Sequence, residues 1–135
     1  MKIFKLFACV LTTAFIICTT VSAKNKCVPK IYIYGFSASF NDSIIYLTNI
    51  QELDSAWIDD KNDFLLNRSD YSYQFKNYFE TKNVHHRTCI ISYALNRKDI
   101  EKKYQKLKNK YVKNGKYDIR YIQDNEFHFT LIKPE

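Results

Sequence analysis

The densest run of reactive side chains in this sequence is "HHRTC", residues 85–89. Imidazole and thiolate are both zinc ligands, and a thiolate beside a histidine is a nucleophile. His86 and Cys89 stand three apart, and His128 can approach them from another strand of a sheet. The spacing argues against a metal. The cluster straddles a loop-to-strand boundary, and adjacent histidines in an extended chain point to opposite sides. The sequence also lacks a second Cys-x-x-Cys or a His-x-x-x-His. His86 and His128 therefore remain as metal candidates only in name, and no cofactor is expected. Cys89 opens "CIISYAL", which reads as core, whereas a catalytic cysteine needs an exposed, activated thiolate. No Gly-x-Ser-x-Gly, His-Glu-x-x-His, P-loop or dinucleotide fingerprint is present.

The compartment in which these residues work is written at the other end. Lys2 and Lys5 precede the apolar run "LFACVLTTAFIIC", and small residues, "VSA", close it at Ala23. That is the layout of a cleavable export signal over residues 1–23, too short for a membrane span of about 20 apolar residues. The expectation is a secreted or periplasmic chain of residues 24–135, one domain with no membrane span of its own. Cys9 and Cys18 leave with the signal. Cys27 and Cys89 remain where disulfides form, and a bridge between them would close a loop of roughly 60 residues, stabilising by about 4 kcal/mol. The alternative is two small, buried thiols.

Hydrophobic periodicity gives the elements that must position these groups. "KIYIYGFSASF" (30–40) and "SIIYLTNI" (43–50) read as a hairpin turning tightly at Asn41–Asp42, with the first strand interior to its sheet because both its faces are apolar. "ELDSAWIDDKND" either extends the second strand or forms an irregular loop. Tyr71, Phe75, Tyr78 and Phe79 make one stripe of a helix over 69–81, capped by Ser69 or Asp70. "RTCIISYAL" (87–95) reads as a central buried strand. Asn96, with Asp99 three residues on, caps a helix that Gly115 ends. "KYDIRYIQ" and "EFHFTLIK" read as a closing hairpin. The order β-β-α-β-α-β-β predicts an α+β fold: one mixed sheet of about five strands with two helices over one face.

Charge is uneven along this frame. Residues 41–80 hold eight acids against three bases, and residues 81–135 thirteen bases against six acids. Many of those bases lie in "KKYQKLKNKYVKNGK" (102–116). Ile100, Tyr104, Leu107 and Tyr111 form a narrow apolar stripe on that helix, and the lysines fill the remaining circumference rather than one ridge. That is the composition of a solvated helix face. Arginine, the better fork for phosphate, is nearly absent there, and export removes a chain from most nucleic acid. Nucleic acid is accordingly not the expected partner; an envelope or extracellular protein or polymer is.

"YIYG" (32–35), "IIYLT" (44–48) and a later helix bearing Glu101 follow an order that resembles the GIY-YIG nucleases. The resemblance implies a metal-dependent hydrolase or nuclease in which a tyrosine near the first motif assists the attack and a glutamate binds the metal, with Tyr34, Tyr46 and Glu101 as the matching residues here. "YLT" departs from it by lacking the second motif's glycine, and Lys76 stands where an arginine is expected. "YIYGFSASFNDS", "HRTCIISYAL" and "YDIRYI" are similar to short exported proteins of the Bacteroidales type. That likeness implies export and no activity. The favoured function is a non-enzymatic binding module whose aromatics Tyr32, Tyr34, Trp57, Tyr71 and Tyr73 form a contact surface. The alternative is the enzyme built on Tyr34, Tyr46 and Glu101.

Overall fold

The computed structural model describes residues 25–134; the expected export signal, residues 1–23, lies outside the described residues. The chain runs β1 (Asn25–Ala38), β2 (Ile44–Thr48), β3 (Gln51–Asp59), α1 (Arg68–Thr81), β4 (Thr88–Ala94), α2 (Arg97–Asn114) and β5 (Asp118–Ile122). The fold is α+β as expected, with one mixed five-stranded sheet and two helices. β1 is interior, as expected, because it pairs along both of its edges. β3 and β2 lie antiparallel along one of its edges, β4 lies antiparallel along the other, and β5 adds parallel to β2.

β2 and β3 are one long strand broken by a bulge. Ile33 pairs with Gln51 and Phe36 with Leu47. Two residues of β1 therefore face three, Thr48 to Ile50, and the extra residue leaves the ladder out of step. Thr48 repairs it from its side chain: its hydroxyl accepts the Gly35 N–H at 2.8 Å. The acidic stretch after residue 50 thus extends the second strand. The hairpin connection, residues 39–43, is longer than the tight two-residue turn expected. Neither Asn41 nor Asp42 takes positive φ, because Asp42 Oδ1 accepts the Ile44 N–H and closes the turn from its side chain.

The two helices cover opposite faces, not one. Alternate residues of β1 separate the cores. Ile31 and Ile33 join Tyr71, Phe75 and Phe79 of α1; Tyr34 and Phe36 join Ile100 of α2, with Tyr104, Leu107 and Tyr111 packed alongside. The connection β3–α1–β4 crosses the sheet in one direction and β4–α2–β5 crosses back. Right-handed crossovers in opposite directions must place their helices on opposite sides.

This arrangement explains a second correction. β4 is an edge strand, pairing with β1 alone, rather than a central one. Its apolar run marks buried Ile91 and Ala94 but also leaves Ile90 exposed, and a covered face says nothing about a covered edge.

The closing hairpin is also replaced. β5 forms, but residues 126–133 are not a strand. They cross under α1, with Phe129 in the first core and Phe127 packed against it. Two side-chain amides serve as their ladder. Gln51 accepts the Phe129 N–H at 2.9 Å and donates to the Phe127 carbonyl at 2.9 Å. Gln74 treats Thr130 the same way, at 2.9 and 2.8 Å. The alternation of Phe127, Phe129 and Leu131 is genuine, but it is a strand pattern paired with side chains.

Cap chemistry decides the helix ends. Asn96 accepts the Asp99 N–H at 2.9 Å, and Gly115 ends α2 at φ 69°, both as expected. α1 differs: Asn67, at φ 59°, precedes it and makes no side-chain cap bond, so neither Ser69 nor Asp70 is the cap.

The two cores carry a pH signature. Desolvation pushes the Tyr104 phenol up to about 12, and burial raises Tyr34 and Tyr71 as well. The folded state then holds these protons more tightly than the unfolded chain, whose tyrosines ionise near pH 10. Stability from Tyr104 is whole below about pH 10 and is lost as pH rises through about 12. Urea midpoints measured from pH 8 to 12 should fall across that window, and Tyr104→Phe should flatten the fall. An unchanged slope in the variant would remove Tyr104 as its source.

Candidate functional site

"HHRTC" resolves into a structural clamp. Arg87 has only 2% of its side chain exposed. Nε donates to Ser37 Oγ at 2.9 Å, Nη1 to both Asp42 carboxylate oxygens at 3.2 Å, and Nη2 to the Ser37 and Ile44 carbonyls at 3.2 and 2.6 Å. The guanidinium also stacks over Tyr46, 4.8 Å from the ring centre. Every donor is used on the β1–β2 hairpin, so this arginine ties the start of β4 to that turn. The Ile44 amide, together with Arg87, holds the Asp42 carboxyl below its ordinary value.

The other members of the cluster are not assembled for chemistry. Burial pushes the Cys89 thiol up, and its Sγ contacts Ser37 Oγ at 3.6 Å. It is not an activated nucleophile. His86 lies at the hairpin-turn end, its carbonyl accepting from Ser39, whereas His128 lines a hollow with Glu52, Arg97 and Asp124. Among the described residues no group of three or more His, Cys, Asp or Glu could hold a metal. Cys27 and Cys89 are both free. Cys89 pairs with Ser37, ten positions along β1 from Cys27 and roughly 30 Å away at the rise of an extended strand, so the disulfide is excluded.

The enzyme constellation is likewise dispersed. Tyr34 is buried on the α2 face, Tyr46 packs on the α1 face against Phe79, and exposed Glu101 is paired with Arg97 at 2.9 Å. The sheet stands between the two tyrosines.

The expected aromatic face divides too. Tyr71 is wholly buried, with its hydroxyl accepting the Ile132 N–H at 3.0 Å, and Tyr34 is nearly so. Tyr32 sits half-buried beneath Arg97, Trp57 is half-buried on β3, and only Tyr73 is largely exposed. The tyrosine load mostly fills two cores rather than one contact surface.

A different concavity has the makings of a site. It is an open cleft of about 640 Å³ at the C-terminal end of β4, between the β3–α1 loop and the first turns of α2. Tyr93 is its floor. The Tyr93 hydroxyl accepts the Leu65 N–H at 3.0 Å, which pins the loop. Arg68 lies over the ring at 5.7 Å and Lys103 at 5.9 Å, a cation from each helix. Phe64 and Leu95, 60% and 40% exposed, supply apolar walls. Lys102 and Lys106 complete the cationic rim, against Asp63 and Asp99. Both carboxylates are engaged, Asp63 with Lys26 at 3.2 Å and Asp99 with Asn96 at 2.8 Å.

Sequence reasoning passed over Tyr93, Phe64 and Arg68. Their available signal was the charge-free run of β4 flanked by bases, but only the fold brings the 60–67 loop beside it. A smaller hollow of about 260 Å³ at the hairpin end, lined by Phe40, Tyr111 and Tyr117, has no charged side chain in its lining. Among the described residues no helix is long and apolar enough to cross a membrane. No family model, curated protein or solved structure matches the chain.

Proposed function

We propose that this is an exported, non-enzymatic binding module whose contact surface is the Tyr93 cleft, and that it takes an acidic ligand. The observation that carries the reading is the pairing of Arg68 and Lys103 over one aromatic floor, with exposed Phe64 and Leu95 beside them. Exposed apolar side chains beside four cations, Arg68, Lys102, Lys103 and Lys106, against two acids, Asp63 and Asp99, favour a partner that is apolar in part and negative in part. Lys102, Lys103 and Lys106 lie within about one turn of α2, which concentrates the field at the cleft mouth. Export rests on the leader-like residues 1–23 and the likeness to short exported proteins.

Protein produced from the full-length sequence should be recovered outside the cytoplasm with an intact mass beginning at Lys24. Binding of that protein to fluorescent poly-glutamate, read by anisotropy, should weaken steeply with added salt. The charge reversal K102E/K103E/K106E should lower affinity by about tenfold or more. Equal binding by the reversed variant would remove the cleft as the site, and an intact 135-residue chain in the cytosol would remove export.

A further inference from the structure

β4 has an open edge whose polarity can be assigned. In an antiparallel strand the N–H and C=O of one residue point to the same side, and the side alternates along the chain. The Tyr93 carbonyl accepts the Lys103 ammonium at 3.0 Å, so Tyr93 turns its backbone groups away from β1. Gly35, the partner of Ile91, sends its N–H the other way, to Thr48. The two observations agree. Cys89, Ile91 and Tyr93 present their amides to the open edge, and Ile90, Ser92 and Ala94 present theirs to β1. Among the described residues no backbone group bonds to the outward amides of Cys89 and Ile91.

The other edges of the sheet are guarded. β5 carries Asp118 and Arg120, bonded to each other at 2.9 Å. β3 is covered at its end by the following loop, through Asp59 to Phe64 and Leu66 to Trp57, and carries exposed Glu52 and Asp54 before that. β4, "TCIISYA", has no charge and no proline within it. Proteins normally blunt an exposed edge with such residues because an open ladder recruits strands.

We propose that β4 receives an added strand from an extended, acidic segment of another protein, in continuity with the Tyr93 cleft. The proposal rests on the binding reading above and names the form its ligand takes. Backbone bonds to Cys89 and Ile91 and to the Tyr93 N–H supply the pairing, the Tyr93 carbonyl keeping its bond to Lys103. Exposed Ile90 (51%) meets alternate side chains of the incoming strand, while Lys102 and Lys106 meet its carboxylates. Charge selects this occupant over a second copy. Two β4 edges joined about a two-fold axis would bring two α2 helices side by side on one face, lysines against lysines.

Amide hydrogen exchange on ¹⁵N-labelled protein tests this directly. The probe is a capped peptide of alternating valine and glutamate, about as long as β4. Bound peptide should slow exchange about tenfold or more at Cys89, Ile91 and Tyr93, and leave Ile90, Ser92 and Ala94 unchanged. Binding without that alternation overturns strand addition while leaving the cleft reading intact. No binding overturns the proposal, and poly-glutamate anisotropy then decides the cleft reading by itself. Equal protection by a valine–lysine peptide would overturn the acidic partner. Protection that grows with protein concentration alone would assign the edge to self-association instead.

Discussion

Arg87→Ala is expected to destabilise the protein by about 3 kcal/mol. The substitution leaves the Ser37 and Ile44 carbonyls without their guanidinium donor and opens a gap between Tyr46 and Phe79, over which Arg87 lies. A buried acceptor stripped of its donor costs about 1–3 kcal/mol. Asp42 is 39% exposed and rehydrates, which keeps the total below that of a fully buried pair. Urea titrations followed by the single tryptophan, Trp57, should show a lower midpoint with an unchanged slope. For a domain of this size the melting temperature should fall by about 10 °C or more. Arg87→Lys should recover little, since an ammonium cannot reach both carbonyls and Ser37 Oγ at once. A loss under about 1 kcal/mol for the alanine variant would show that water substitutes for the guanidinium.

Gly35→Ala is expected to cost about 2 kcal/mol. A methyl group at this position would stand 2.8 Å from Phe75 Cδ1 and Cε1 and 3.2 Å from Phe129 Cζ. Phe75 is wholly buried and held among Phe79, Phe127 and Phe129, with ring centres 4.9 to 6.2 Å away, so its ring has nowhere to turn. The glycine lets α1 settle on the strand. The double variant Gly35→Ala/Phe75→Leu should be less destabilised than the two single effects summed, because a smaller side chain opposite relieves the clash. Strict additivity would place the cost elsewhere, in the Gly35–Thr48 bond at the bulge.

These residues and the cleft belong to one arrangement. Arg87 fixes the beginning of β4 and Tyr93 fixes the loop beside its end, so the open edge between them is presented on a rigid strand. An extended ligand that meets a preformed edge loses less ordering entropy than one that must mould its site.

Much of the fold is legible in residue order. The strand patterns of 30–40 and 43–50, the Tyr71–Phe75–Phe79 stripe, the Ile100–Tyr104–Leu107–Tyr111 stripe, and the Asn96 and Gly115 caps are local matters of periodicity and backbone preference. Each of these elements forms, although β1 starts earlier, at Asn25, and ends at Ala38, and β2 is confined to Ile44–Thr48. The lysines of α2 do fill its solvated circumference. The candidate site was less legible. Tyr32, Tyr34, Trp57, Tyr71 and Tyr73 share a residue class, but burial on two faces scatters them. Cys27 and Cys89 share a chemistry, but the β1–β4 register separates them.

What the residues determined alone was both helices and the strands β1, β2, β4 and β5, with the helix faces that seek cover, because these follow from side-chain spacing along a few turns or pleats. What tertiary structure decided was the edge position of β4, the opposite placement of the helices, the docking of residues 126–133 by Gln51 and Gln74, and the meeting of Arg68, Tyr93 and Lys103 in one cleft. Those depend on crossover direction and strand register, which bring together residues far apart in the chain and leave no periodic trace in the sequence.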